Sequence, residues 1–253
     1  MRLRTAALVA ICALAPTAGA QTVAEHIAAG DREYASLKPA AALPHYEAAL
    51  AADGKSYEAL WKASRTAVDI GELEANADVR KQTYKNAEQY ARRAVEANPA
   101  DAEGHFHLAR SLGRTALSLG KRDRVKYAGE VRTHALAALD RNPRHAGALH
   151  VMGVWNAEIM RLSGLQRFAA KNLLGGKVFG QANWKEAVRY MEAAVAAEPQ
   201  RIVHRIDLAE IYEDVGDKAK AREQYEFIGR AAVLDAKDPT YKRQAEERLK
   251  KLG

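Results

Sequence analysis

Histidines, one cysteine and a set of arginines next to aromatic residues are the side chains of this 253-residue chain with reactive or charge-binding chemistry. Histidine serves as a proton carrier or a metal ligand. His105 and His107 are two places apart, which puts them on different faces of a helix and makes them a poor metal pair. His145 and His150, five apart, are little better, and His26, His45, His134 and His204 are scattered. Cys12 is the only cysteine, so an intramolecular disulfide and every multi-cysteine metal cluster are excluded. There is no His-Glu-x-x-His, no Gly-x-Ser-x-Gly and no phosphate loop. Gly175-Gly176-Lys177 and Gly180 lack the spacing of a nucleotide loop. The expectation is a protein without catalysis, metal or cofactor.

The arginines are more informative. Trp61 precedes Arg65 by four places, and Phe106 precedes Arg110 by four, with Arg114 four further on. An arginine fork takes a carboxylate or phosphate in two places at once, and an aromatic beside it holds an apolar stem. Such residues act together only if the fold lines them up on one face.

Repeats supply that face. Asn98-Pro99, Asn142-Pro143 and Glu198-Pro199 each follow an apolar helical run and precede a small residue by ten places: Ala109, Gly153 and Ala209. Before each proline, small or apolar residues recur at i, i+4 and i+7: Ala87, Ala91, Ala94; Val131, Ala135, Ala138; Ala187, Met191, Ala194. The last unit, Ala209, Gly216-Asp217, Ala221, Tyr225 and Ile228, has the intervals of a tetratricopeptide unit. Gly30, Ala42, Tyr46 and Ala49 repeat them at the start. The middle units are longer, with insertions near residues 72–82, 117–127 and 161–182. The first two are expected to lengthen helices, and the third to form a short helix and a loop.

These intervals predict an all-α solenoid of five helix pairs, at about 22–54, 56–98, 102–142, 146–198 and 202–235, with a capping helix from Pro239 to Leu252. Thr22, Asp101 and Asp238 are expected helix N-caps. In such a solenoid the first helix of each pair lines the concave face. The stripe pointing inward would carry Trp61, Arg65, Phe106, Arg110, Arg114, His150, Val154, Ile206 and Glu210. In the third insertion, Leu162, Leu165, Phe168, Leu173 and Leu174 fall mostly on one face, with Arg161, Arg167 and Lys171 on others. That pattern fits a basic amphipathic helix on a membrane surface, or a lid over the groove.

The lengthened middle units resemble the regulator of microtubule dynamics family. So does the run Glu158-Ile159-Met160-Arg161-Leu162-Ser163-Gly164-Leu165-Gln166-Arg167-Phe168-Ala169-Ala170-Lys171-Asn172-Leu173-Leu174-Gly175-Gly176. The likeness continues through Asn183-Trp184-Lys185-Glu186-Ala187 to Asp238-Pro239 and covers roughly residues 56–252. It implies a domain that associates with microtubules, or tethers organelles and binds phospholipid, in members with a eukaryotic address.

Residues 1–20 point to another address. Arg2 and Arg4 precede an uncharged run from Thr5 to Ala15, and Pro16-Thr17-Ala18-Gly19-Ala20 ends it in small residues. This is the pattern of a secretory signal peptide, cleaved after Ala20, and the run is shorter than the roughly 20 residues of a membrane span. Removal takes Cys12 away and lowers the formal charge from +7 to +5. Residues 21–253 then read as one periplasmic or secreted domain. Export disfavours a nucleic-acid partner and a microtubule role. The expected partner is a protein or peptide in the concave groove, its acidic group held by Arg65, Arg110 and Arg114. The alternative is a phospholipid or other amphiphile in the same groove.

Overall fold

The computed structural model describes residues 22–119, 121–173 and 177–252. Residues 1–20, where a signal peptide is expected, and with them Cys12, lie outside the described residues. The described chain is all-helical: α1 (Val23–Ala35), α2 (Pro39–Ala52), α3 (Tyr57–Leu73), α4 (Ala77–Ala97), α5 (Ala102–Leu117), α6 (Lys121–Arg141), α7 (Ala146–Met160), α8 (Gly164–Leu173), a 3-10 helix (Lys177–Gln181), α9 (Trp184–Ala197), α10 (Ile202–Asp214), α11 (Lys218–Arg230) and α12 (Asp238–Leu252). Helices α1/α2, α3/α4, α5/α6, α7/α9 and α10/α11 form five antiparallel pairs, and α12 packs on the last.

Proline sets the ends of three second helices. α4, α6 and α9 each stop two residues before Pro99, Pro143 and Pro199. Proline pushes the residue before it out of the helical region, so Asn98 (φ −146°, ψ 84°) and Glu198 (φ −131°, ψ 78°) leave the helix. Starts are fixed by caps. Thr22 and Glu25 form a capping box, and the Asp101 carboxylate accepts from the Glu103 amide. Asp238 departs from its expected role. It is the first residue of α12, and its carboxylate accepts backward from the Leu234 and Asp235 amides at 2.8 and 2.9 Å. It therefore fixes the turn leading into α12.

Small residues govern the pair crossings. Ala42, Ala49, Ala63, Ala87, Ala91, Ala94, Ala109, Ala135, Ala187, Ala194, Ala209 and Ala221 are all fully buried. Tyr46 and Tyr225 are buried between them, with hydroxyls donating to Asp31 (2.8 Å) and Glu213 (2.5 Å). Gly30 lets the Tyr46 ring lie against α1: a Cβ there would sit 2.6 Å from its Cε1. Gly216, closing α10, adopts φ +83°, a conformation glycine favours.

α4 and α6 have 21 residues each, against 14 in α2 and 13 in α11. Their partners α3 and α5 are lengthened too. The third insertion holds α8 and the 3-10 helix. Among the described residues no helix is long and apolar enough to cross a membrane.

Gly30→Ala should lower stability by about 1–3 kcal/mol despite alanine's better helix propensity, because the Tyr46 ring is pinned by Asp31. Gly129→Ala, inside α6 with nothing near its added Cβ, should instead gain up to about 1 kcal/mol. Urea denaturation of the two variants checks the opposite signs.

Candidate functional site

The inner helices enclose a chamber of about 820 Å³. Trp61, Arg65, Phe106, Arg110, Arg114, His150 and Val154 all line it, as their spacing predicts. Ile206 and Glu210 do not. α12 lies over that part of α10: Gln244 donates to Glu210 at 2.7 Å, and Arg248 approaches the same carboxylate to 4.0 Å. Ile206, 1% exposed, is part of the core that α12 completes with Tyr241 and Ala245. Val203, His204 and Asp207 are the α10 residues that line the chamber instead.

One side of the chamber is a buried ion cluster. Arg110 Nη2 lies 2.6 Å from Asp69 Oδ1 and 3.5 Å from Glu72 Oε1. Arg114 Nε lies 2.5 Å from Glu72 Oε1, and Lys237 Nζ lies 4.0 Å from Glu72 Oε2. Tyr34 donates to Asp69 Oδ2 at 2.6 Å. Burial pushes Glu72 up, but Arg114, Arg110 and Lys237 together outweigh it and hold its carboxyl below the usual range. Asp69 is left raised, because burial there exceeds the pull of Arg110. Arg110 and Arg114 are thus committed to carboxylates of the chain itself, where the stripe alone implied free forks. Asp69 and Glu72 stand four and seven places beyond Arg65. Helical spacing carried that signal.

Arg65 differs. Its guanidinium carbon sits 3.6 Å from the Tyr34 ring centroid and 5.2 Å from that of Trp61. Nη2 donates to the Tyr46 hydroxyl at 3.4 Å, and Nε is buried without a hydrogen-bond partner.

Beside it runs a row of rings. Trp61 stacks on His107 (centroids 5.4 Å apart, planes 4°), and Phe106 lies 4.6 Å from both His107 and His145. Glu103 sits 3.4 Å from His107 Nε2 and 3.2 Å from His145 Nε2. Burial raises Glu103, but those two imidazoles outweigh it and hold the carboxyl well below the usual range. Burial lowers His107 to about 4.

Histidines that look scattered in sequence meet in space. His150 Nδ1 lies 2.9 Å from His204 Nδ1, with Asp207 and Glu198 at the outer nitrogens. His105 pairs with His134 away from the chamber, so His105 and His107 do face apart. Among the described residues no group of three such side chains converges as a metal site.

The insertion closes one end. Leu162 and the buried Phe179 line the wall. Phe179 has no repeat-spaced counterpart, which is why sequence reading passed it over. Leu165 and Phe168 face outward, 79% and 64% exposed. Leu174 and the Leu173 side chain lie outside the described residues. Arg161 is taken by Asp214 at 2.6 Å, and Arg167 donates to the Met160 carbonyl at 2.8 Å.

Residues 25–253 match the family described as regulator of microtubule dynamics protein 1-3. Regulator of microtubule dynamics protein 1 of Bos taurus is 26% identical over 148 residues, 58% of this chain and 46% of that protein. Protein 3 of Rattus norvegicus is 21% identical over 195 residues, 77% of this chain and 41% of that protein. The chain spans less than half the length of these curated relatives. Among solved structures, a thermophilic TPR protein of Thermus thermophilus is 22% identical. It covers 89% of this chain and 99% of its own, with a TM-score of 0.63. That likeness shows the tetratricopeptide-type solenoid.

Two outcomes follow from the buried charges. Glu72→Gln keeps the volume but removes the charge facing Arg110, Arg114 and Lys237. It should cost about 3–5 kcal/mol in denaturant unfolding, and a change under about 1 kcal/mol would count against the cluster. His107 has an ordinary value near 6.5, so between that and about 4 the unfolded chain binds a proton that the folded chain refuses. Its contribution is intact above pH 6.5. Stability then falls toward pH 4 by on the order of 3 kcal/mol, and His107→Gln should flatten the difference between unfolding at pH 7 and pH 4.5.

Proposed function

The chain belongs to the regulator of microtubule dynamics family, and we propose that it is a non-catalytic, exported member that holds an amphiphile in its concave chamber. The observation that carries this reading is the chamber itself. At about 820 Å³ it matches the size of small-molecule sites, roughly 300–1,000 Å³. Phe106, Val151, Val154, Trp155, Ile159 and Phe179 give it an apolar wall, and Arg65, Glu72, Arg110 and Arg114 form a charged side on α3 and α5, with further charged residues on α6, α7, α10 and the segment before α12.

The fold is a helical-repeat scaffold, an architecture with concave binding surfaces. The peptide or protein segment expected from the sequence would enter this same space. Lys237 and Tyr241 line it from the segment before and at the start of α12, so an extended peptide would have to pass them. A compact ligand need not, which favours the amphiphile. The carboxylates and histidines of the wall are engaged with one another, and this supports a binding role over catalysis.

Export rests on the basic start, apolar run and small-residue end of residues 1–20. An exported chain meets no tubulin, so the activity named for its relatives is not carried over. In this reading α8 touches the membrane that supplies the ligand. Its exposed Leu165 and Phe168 belong to the insertion that also gives Leu162 to the chamber.

Native mass spectrometry of the full-length gene product, purified from the extracytoplasmic fraction, tests both halves. The expected spectrum shows a chain beginning at Gln21 that carries the extra mass of a lipid or fatty acid. Val154→Glu, placing a carboxylate in the apolar wall, should release that mass. A ligand-free spectrum, together with no binding to phospholipid vesicles, would sink the amphiphile. A retained Met1 would sink export.

A further inference from the structure

We infer that Arg65 is the anion anchor of the chamber and takes the carboxylate or phosphate oxygens of the amphiphile's headgroup. This rests on the chamber being an amphiphile site. A census of the wall's permanent cations leads to it. Arg110 and Arg114 are bound to Asp69 and Glu72 at 2.6 and 2.5 Å. Lys237 lies 4.0 Å from Glu72. Arg124 and Arg161 share Glu158, at 3.4 and 2.8 Å, and Arg201 reaches Asp235 at 3.2 Å. Arg65 has no carboxylate within 4.0 Å among the described residues; its one protein acceptor is the Tyr46 hydroxyl at 3.4 Å.

Its surroundings hold the guanidinium ready. Tyr34 stacks under it at 3.6 Å and Trp61 lies 5.2 Å away, which fixes the plane while leaving the edges open. Nη2 is oriented by Tyr46, whose own proton goes to Asp31 at 2.8 Å, so Tyr46 can only accept from Arg65. Nε is covered by protein atoms and donates to no group, so the Nη edge is the one that meets the chamber. The Nη edge of this half-buried fork, at the chamber wall, fits an oxyanion by two parallel hydrogen bonds.

Position sets the ligand's direction. Arg65 sits on α3, next to α1 and the ion cluster, whereas Trp155 on α7 and Phe179 on the 3-10 helix belong to the apolar cluster further along the solenoid. The headgroup would lie at the α1/α3 end. The chain would run past Phe106 and Val154 toward Trp155 and Phe179.

The test titrates the delipidated mature protein with oleate, oleoyl lysophosphatidate and oleyl alcohol, read by calorimetry. Wild type, Arg65→Met and Arg65→Lys are compared, with thermal melts confirming that each is folded. Arg65→Met should weaken the two anions by about 10–100-fold, the size of a charge-assisted hydrogen bond, and leave oleyl alcohol within about twofold. Arg65→Lys should restore part of the loss for the anions. Whichever anion loses more names the source, carboxylate or phosphate. Equal binding of all three ligands by wild type and Arg65→Met overturns the anchor while leaving the amphiphile reading intact. Loss of oleyl alcohol as well, in a protein that still melts normally, also overturns it, since Arg65 would then shape the chamber instead of reading charge. No binding of any ligand by wild type removes the amphiphile reading itself.

Discussion

One buried carboxylate, Glu72, joins parts of the solenoid that a regular repeat array would keep apart. In such an array each unit touches only its neighbours, so curvature is a sum of small, independent steps. Glu72 on α3 binds Arg114 and Arg110 on α5, and Lys237 from the segment before α12 reaches it too. The last contact spans from the second helix pair to the end of the fifth. Buried charge is costly to desolvate, so this cluster adds little net stability over an apolar replacement. Its effect is geometric. Every partner must stay in place, because any one of them left alone would be an uncompensated charge in a water-poor space.

That constraint turns a groove into a chamber. Insertions lengthen α3 to α6, and the extra turns carry Glu72, Arg114 and Arg124 beyond the point where a 34-residue unit would have turned. The third insertion brings Phe179 into the wall from the opposite end. Departures from the regular repeat therefore build the walls, and the regular parts provide the frame.

The frame was legible because its signals are local. Proline two residues after the ends of α4, α6 and α9, and small residues at i, i+4 and i+7, depend only on one helix and its partner. Seven of the nine proposed groove residues line the chamber for the same reason: one stripe on each inner helix faces inward. Ile206 and Glu210 fail where a non-repeat element intrudes, since α12 covers α10 and leaves Val203, His204 and Asp207 on the chamber. The state of the arginines was the harder matter. Spacing shows that Arg65, Asp69 and Glu72 share a face, but not that α5 sets Arg110 and Arg114 against those carboxylates. The His150–His204 contact, made across residues 54 apart, has no short-range trace at all.

The distribution of large side chains follows from how the helices cross. Pairs built on alanine and glycine approach closely, and a close crossing has little room for broad rings. Tyr46 and Tyr84 fit because a glycine opposes each of them, Gly30 and Gly71. The larger rings are displaced to the inner surface. Phe106 fits against Gly147, where an added Cβ would collide with it, and Trp155 hangs its Nε1 on the Ala128 carbonyl at 2.7 Å. Low aromatic content is then no bar to an apolar chamber, since the few rings are concentrated where the pair crossings exclude them. The same close alanine crossings leave the aromatic surface facing inward, toward the chamber.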